Sequence, residues 1–385
     1  MRRVQVIVSR KRALAIILAL AAVIGGIAAW LAFQPTRFAD GTPVWTSTIV
    51  DGAAGSPPPR LGPTAGYDAS SNRMMVFGGA AYNDVWVLSN ANGLGGTSVW
   101  TNTVAQGAAG SPLGRAGPTA VYDASSNRMM VFGGVSSNAV WVLSNANGLG
   151  GTSVWTNTVA QGAAGSPPPR SIHTAVYDAA SNRMMVFGGL GSSIYNDVWV
   201  LSNANGLGGT SVWTNTVAQG AAGSPIGRYA HTSVYDASGN RMIVFGGSDD
   251  TTYYNDVWVL SNANGLGGTS VWANTVAQGA GMSSPWRGGH SAVYDAASNR
   301  MVMFGGYNGT TYYNDVWVLS NANGLGGTPG WTNTVAQGAA GSPLGRVQPA
   351  AVYDASGKRM ILFGGDIFTT YYNDVWVLSN ANATP

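Results

Sequence analysis

The chain has 385 residues, a formal net charge of +3, 55 glycines and no cysteine. Without cysteine it can hold no disulfide, no thiolate metal site and no cysteine nucleophile. From residue 38 onward, 13 basic residues stand against 16 acidic ones, all of them aspartate. A nucleic-acid-binding domain presents a basic face, so we expect no nucleic-acid partner.

The first predicted element is a membrane anchor. Ala13 to Phe33 form an uninterrupted stretch of uncharged, mostly apolar residues, and a helix of that length covers about 31 Å, the hydrocarbon thickness of a bilayer. Five cationic residues precede it, which places the N-terminus in the cytoplasm. We therefore predict a basic cytoplasmic tail (1–12), a single transmembrane signal-anchor helix (13–33) and a linker (34–42). The remainder would be membrane-anchored on the extracytoplasmic side, with a cleaved signal peptide as the alternative.

Three motifs then recur six times in register. Phe-Gly-Gly has its phenylalanine at Phe77, Phe132, Phe187, Phe245, Phe304 and Phe363. The tryptophan of a Val-Trp-Val-Leu segment recurs at Trp86, Trp141, Trp199, Trp258, Trp317 and Trp376. A Tyr-Asp pair begins at Tyr67, Tyr122, Tyr177, Tyr235, Tyr294 and Tyr353. Six copies of a unit rich in glycine, valine and aromatic residues predict four short strands per unit, separated by turns.

The third unit illustrates the predicted strands. Its first strand is Thr174 to Tyr177, and a tight hairpin leads to the second, Arg183 to Phe187. Two glycines follow, where the chain must bend sharply and a residue without a Cβ passes most freely. Asp197 to Leu201 form the third strand, and a glycine-rich loop leads to the fourth, Val212 to Val217.

The double glycine after an apolar strand, the later tryptophan and an Arg-x-x-His-Thr/Ser-Ala opening resemble the kelch repeat over residues 43–385. The resemblance implies an all-β, six-bladed kelch-type β-propeller of the galactose oxidase-like superfamily. The fourth-strand tryptophan occurs first at Trp45, before any complete unit, and the sixth unit ends at its third strand. Val44 to Ile49 are therefore expected to supply the outer strand of the last blade, which removes the open edges of the ring.

One arginine opens the inner strand of each unit, and six of them could ring one mouth of the central channel. They are Arg60, Arg115, Arg170, Arg228, Arg287 and Arg346. Such a ring would hold an anion or a carboxylate through bidentate hydrogen bonds. The alternative, which we favour because all six units carry the residue, pairs each arginine with a neighbouring aspartate or with backbone carbonyls.

The three histidines, His173, His231 and His290, occupy one repeat position on consecutive units. Their convergence would suggest a zinc-like ion, but neighbouring inner strands diverge toward the mouth, and the kelch pattern often has a packing histidine here. We therefore predict no metal and no cofactor. The repeated aspartate of the Tyr-Asp pair could suggest calcium sites, but calcium needs several spaced oxygens and a bidentate acid, and the chain has no glutamate. We therefore expect this aspartate to form an ion pair across its hairpin, as between Asp178 and Arg183.

The six units differ mainly on one face of the disc. The first-to-second and third-to-fourth strand loops are nearly constant, and alternating strand direction places both on one face. The second-to-third strand loops and the segments entering each inner strand lie on the opposite face and vary most in units four to six. The candidate ligand-binding residues there are Tyr229, Asp249, Asp250, Tyr253, Trp286, Tyr307, Tyr312, Asp366, Phe368 and Tyr371. Exposed aromatics beside carboxylates suit binding; the alternative is that these rings only pack on one another.

The sequence thus predicts a non-catalytic binding module that recognises a protein or a glycan through the variable face of blades 4–6. A kelch-type enzyme, galactose oxidase-like or sialic acid epimerase-like, is one alternative, and a largely structural surface protein is another. The enzyme is disfavoured because the chain lacks glutamate and the cysteine of the galactose oxidase cross-link, and because we find no convergent acid–base pair.

Overall fold

The computed structural model describes residues 41–281 and 283–383, and the regular structure of that part of the chain consists of short β-strands. In chain order they are β1 (Val44–Ile49), β2 (Thr64–Asp68), β3 (Arg73–Phe77), β4 (Val85–Ser89), β5 (Val99–Val104), β6 (Pro118–Asp123), β7 (Arg128–Gly133), β8 (Val140–Ser144), β9 (Val154–Val159), β10 (Thr174–Asp178), β11 (Arg183–Phe187), β12 (Val198–Ser202), β13 (Val212–Val217), β14 (Thr232–Asp236), β15 (Arg241–Phe245), β16 (Val257–Ser261), β17 (Val271–Val276), β18 (Ser291–Asp295), β19 (Arg300–Phe304), β20 (Val316–Ser320), β21 (Gly330–Val335), β22 (Ala350–Asp354), β23 (Arg359–Phe363) and β24 (Val375–Ser379).

These strands form six four-stranded antiparallel sheets, the blades. Blades 1 to 5 each use four consecutive strands, from β2–β5 to β18–β21, and blade 6 has the order β1-β24-β23-β22. The first strands of successive blades contact one another around the whole ring, including β2 against β22. The prediction of an all-β, six-bladed propeller is confirmed.

The ring is closed by β1, as predicted. β1 lies antiparallel to β24, from the pair Val44–Ser379 to the pair Ile49–Val375. Trp45 packs edge-on against Phe304 of blade 5, with ring centroids 5.1 Å apart. The same contact between a Phe-Gly-Gly phenylalanine and a fourth-strand tryptophan recurs between the other blades. The closing strand β1 therefore makes the same tryptophan–phenylalanine contact as the fourth strands of the other blades, although no loop joins it directly to β24.

The core lies between blades rather than within each blade. Six clusters of buried residues each combine side chains from two neighbouring blades. The second strands contribute most of this apolar surface; in β11 every residue after Arg183 is buried. Because a blade has two faces to cover, no unit buries its apolar surface alone, and each blade depends on its two neighbours for its core.

The double glycine after each second strand is required by a close approach. Gly188 and Gly189 have φ values of +66° and +100°, which favour glycine. A Cβ at Gly189 would lie 2.6 Å from the Cβ of His173. The bend therefore brings the end of β11 against the segment that enters β10.

The predicted membrane-anchored, extracytoplasmic localisation is wrong on the structural finding: across residues 41–281 and 283–383, no helix is long and apolar enough to cross a bilayer. A spanning helix needs about 20 continuous apolar residues, whereas this part of the chain forms strands of five or six residues. The predicted tail (1–12), helix (13–33) and most of the linker (34–42) lie outside the described residues.

Candidate functional site

The face formed by the nearly constant loops, here the lower face, is held together by contacts between blades. Asp178 accepts hydrogen bonds from the hydroxyl of Ser181 and, at 2.8 Å, from Nδ2 of Asn264 in the next blade. Arg183 donates to the backbone carbonyl of Asn264 at 3.1 Å. The predicted hairpin ion pair is corrected accordingly, since both side chains bind the neighbouring loop. The Asn–Asp contact recurs at all six blade junctions.

Five of the six strand-opening arginines are buried in ion pairs. Their Nη1 atoms lie 2.6–2.8 Å from the first carboxylate oxygen of an aspartate that precedes the third strand of the same blade. A tyrosine ring lies 4.0–4.5 Å from each guanidinium carbon. The five arginine side chains are fully covered and do not line the central channel. They are paired with aspartates, which is the arrangement that we favoured over an anion-binding ring. The exception is Arg115.

The three histidines are also buried, and each binds the neighbouring blade. Nε2 of His173, His231 and His290 lies 2.8–2.9 Å from the hydroxyl of a threonine in the preceding blade. Each ring packs on a phenylalanine of that blade. Burial lowers the pKa of His231 to about 3, with a further contribution from the nearby Arg228 cation. Among the described residues, no group of three histidine or acidic side chains is arranged to hold a metal ion.

The opposite face, here the upper face, begins at the channel mouth with a ladder of backbone hydrogen bonds. Ile172 donates to Gly117, Ala230 to Ile172, Gly289 to Ala230 and Gln348 to Gly289, at 2.6–3.0 Å. Each of these residues has a positive φ and immediately precedes the inner-strand segment of its blade. The ladder therefore links blades 2 to 6 and forms a fixed floor beside the variable loops.

The variable loops of blades 3 to 6 extend their blades by small additional bridges. In blade 4, Tyr229 pairs with Ser248, which pairs with Tyr253. The equivalent sets are Ser171, Leu190 and Ile194 in blade 3, Gly288, Tyr307 and Tyr312 in blade 5, and Val347, Asp366 and Tyr371 in blade 6. These bridges form short, hydrogen-bonded hairpins that continue the sheets. The variable side chains of this face therefore have fixed backbone positions.

Four of the predicted aromatic residues form one cluster on this face, here the aromatic cluster: Tyr253, Tyr307, Tyr312 and Phe368. Tyr307 lies at its centre, with ring-centroid distances of 6.2, 4.6 and 5.5 Å to Tyr253, Tyr312 and Phe368. The cluster thus joins three blades. Tyr229 and three of the cluster residues line a cavity of about 270 Å³ above the backbone ladder.

Phe368 holds the most unusual backbone conformation in the cluster. Its φ is +65°, in the left-handed region that a bulky side chain rarely adopts. Blade 5 has Gly309 and blade 4 has Asp250 at the same loop position, both also with positive φ. The loop shape is therefore common to the three blades, and blade 6 places an exposed phenyl ring where glycine would be easier.

The predicted carboxylates of this face are hydrogen-bonded within the face or buried. Asp249 accepts hydrogen bonds from the hydroxyl of Tyr254, at 2.6 Å, and from the loop backbone. Asp250 accepts one from the hydroxyl of Tyr229 at 2.7 Å. Asp366 is fully buried, and burial raises the pKa of its carboxyl. Two of the three candidate carboxylates are therefore hydrogen-bonded within this face, and the third is buried.

Two predicted residues stand apart from the aromatic cluster. Trp286 and Tyr371 are exposed, but within the described residues neither makes a ring contact with the cluster. Conversely, Ile172, Val347 and Gln348 line the 270 Å³ cavity and were missed from sequence. The one signal in the sequence is that the residue just before the histidine or proline of each unit is larger in blades 3 and 6, as Ile172 and Gln348, than the glycine of blades 1, 2 and 5 or the alanine of blade 4.

Comparison with known proteins agrees with this architecture. The model of the KLHDC2/KLHL20/DRC7 Kelch-repeats domain matches residues 38–205, 137–261 and 209–384. Tip elongation aberrant protein 1 of Schizosaccharomyces pombe is 30% identical over 51% of the chain and 16% of its own length. Kelch repeat-containing protein 2 of Saccharomyces cerevisiae is 33% identical over 40% of the chain and 17% of its own length.

A third relative is matched over more of the chain. The dynein alpha chain of the flagellar outer arm of Chlamydomonas reinhardtii is 27% identical over 80% of the chain and 7% of its own length. The chain thus spans less than a fifth of the length of each of these relatives. With the family model matched along the six blades, the chain belongs to the kelch-repeat family.

Proposed function

We propose that this propeller is a protein-interaction module that binds its partner through the aromatic cluster and the cavity beside it. Membership of the kelch family supports an interaction role in general. The position of the binding surface rests on one observation: Phe368 is 57% exposed and is held in a left-handed conformation at the rim of the cavity. Backbone strain of this kind costs about 1–3 kcal/mol and concentrates at functional sites.

The chemistry of the surface suits an apolar side chain of a protein partner. The cavity lining contains no charged residue, and three phenol rings and a phenyl ring form its walls. Aromatic rings contribute large contact areas at low entropic cost, because they have only two rotatable side-chain bonds. The cavity, about 270 Å³, is of a size to receive one anchor residue, the common form of an interface hot spot.

Phe368→Gly tests the proposal with little effect on the fold. The substitution introduces the residue that blade 5 has at this position, Gly309, so relief of the left-handed strain offsets the greater backbone entropy of glycine. We expect the free energy of unfolding to stay within about 1 kcal/mol of the wild type. Truncation of a hot-spot ring costs about 2 kcal/mol of binding, so partner affinity should fall by about 30-fold.

Leu344→Ala is the matched control, because Leu344 is also in blade 6 and is 64% exposed but lies outside the cavity lining. Proteins captured by the wild type and the Leu344→Ala variant, but not by Phe368→Gly, would be purified and titrated against all three by calorimetry. Equal affinity of Phe368→Gly and wild type for every captured protein would refute the proposed surface. Loss of glycan binding, rather than protein binding, in Phe368→Gly would show a carbohydrate site instead.

A further inference from the structure

The buried arginine of blade 3 shows how five blades complete one internal ion pair. Nη1 and Nη2 of Arg170 donate to Oδ1 and Oδ2 of Asp197, at 2.7 and 3.0 Å. Oδ2 of Asp197 also accepts a hydrogen bond from Nε1 of Trp199 at 2.7 Å. The ring of Tyr195 covers the guanidinium at 4.3 Å. Blades 1, 4, 5 and 6 repeat this arrangement of arginine, aspartate, tryptophan and tyrosine.

Blade 2 retains the donors of this arrangement and lacks its acceptor. Ala139 occupies the position of the aspartate and Ser137 that of the tyrosine, whereas Arg115 and Trp141 are retained. Arg115 keeps its bonds to two backbone carbonyls, at 3.0 and 2.9 Å, and Nη1 contacts the Ser137 hydroxyl at 3.1 Å. Within the described residues, Nη2 of Arg115 and Nε1 of Trp141 have no hydrogen-bond acceptor.

The lost side chains leave an open space, here the blade-2 cavity. It has a volume of about 490 Å³, and its lining includes Arg115, Ser137, Ala139, Trp141 and Gln161. None of the residues that line it is acidic. Arg115 is only 8% exposed, so its cation is largely removed from water without a counter-charge, which is costly. A guanidinium nevertheless stays protonated at neutral pH.

We infer that the blade-2 cavity binds a carboxylate ligand, whose carboxylate takes the place that an aspartate fills in the other blades. One carboxylate oxygen would accept from Nη2 of Arg115 and Nε1 of Trp141, as Oδ2 of Asp197 does from its two donors. The open guanidinium face leaves room for a flat ring next to the carboxylate, where the other blades have tyrosine. The carboxylate belongs to a free organic acid or to an acidic side chain of another polypeptide.

The donor geometry favours a carboxylate over a spherical anion. A guanidinium presents its N–H groups as a planar fork that matches two oxygens of one carboxylate, and stacks on aromatic faces. The volume is within the range of about 300–1,000 Å³ that small-molecule sites occupy. This site is separate from the aromatic cluster, so the inference does not depend on the proposed protein-binding surface.

The test uses the whole chain and two probes, 3-phenylpropionate and its neutral amide, titrated by calorimetry at low salt. We expect the acid to bind the wild type at millimolar or lower concentration and the amide not to bind. Ala139→Asp restores the internal carboxylate, so it should weaken binding of the acid at least about tenfold while remaining folded. An acetylated peptide amide with a single glutamate as its only charge tests the polypeptide source in the same way.

The reverse change in blade 3 provides an independent variant. Tyr195→Ser with Asp197→Ala copies blade 2 and should create a second site for the acid, which doubles the binding stoichiometry. The inference is overturned if the wild type binds neither acid nor peptide, if the amide binds as well as the acid, or if Ala139→Asp binds the acid as tightly as the wild type.

Discussion

Trp45→Ala perturbs the one strand that closes the ring without a covalent connection to its neighbour. Trp45 is 8% exposed and packs on Phe304, so its truncation should cost about 3–5 kcal/mol of the free energy of unfolding, as buried tryptophans do. Trp155→Ala is the matched control: Trp155 is 9% exposed and packs on Phe77 in the same geometry. Its strand, β9, however, is joined directly to its partner β8 by the loop 145–153.

The two variants should therefore lose similar packing energy but differ in where they open. A strand tethered at short range re-forms its pairing at high effective concentration, whereas β1 reaches β24 only across the folded ring. Urea unfolding measures the loss, and hydrogen exchange locates it: Trp45→Ala should lose protection in β1 and β24, and Trp155→Ala should keep protection in β8. Equal exchange patterns, or a loss below about 1 kcal/mol for Trp45→Ala, would refute this account of closure.

Two further predictions concern buried charge. Asp256→Ala leaves the buried Arg228 without its carboxylate and should lower the free energy of unfolding, measured in urea, by about 3–5 kcal/mol. Arg228→Met combined with Asp256→Leu removes both charges and should lower it less. An equal loss in the two variants would contradict the idea that an unpaired buried cation causes the destabilisation. Burial lowers the pKa of His231 to about 3. Between this pH and about 6.5, its imidazole is therefore protonated in the unfolded chain and neutral in the folded protein. Stability should therefore fall as the pH falls through this range, and His231→Gln should reduce the slope by up to about 1.4 kcal/mol per pH unit; an unchanged slope would contradict the burial of a neutral ring.

The blade number, the strands and the closing strand could be predicted from sequence because their signals are local and repeated. The apolar strand segments, the double glycine after β11 and the tryptophan of β12 recur six times, so each copy supports the assignment of the others. Trp45 could be recognised as a detached fourth strand for the same reason. No long-range information was needed to predict this architecture.

The partners of the charged residues could not be predicted in this way. Sequence proximity favoured an ion pair between Asp178 and Arg183, but both bind Asn264, which is 86 residues away from Asp178. In blade 4, Arg228 finds its partner Asp256 28 residues further on. Such pairings depend on how adjacent strands and blades meet, which a periodic pattern does not specify.

By itself, the sequence determined the propeller and the face on which its six copies differ, because β-strand periodicity and turn residues act over a few positions. Only the tertiary structure decided which variable residues meet. It brings Tyr253, Tyr307, Tyr312 and Phe368 together from three blades and buries Asp366. In blade 2, where Ala139 stands in place of the aspartate of the other blades, it forms a cavity beside the buried Arg115. These outcomes depend on side chains that are far apart in the chain and come together only when the ring is closed.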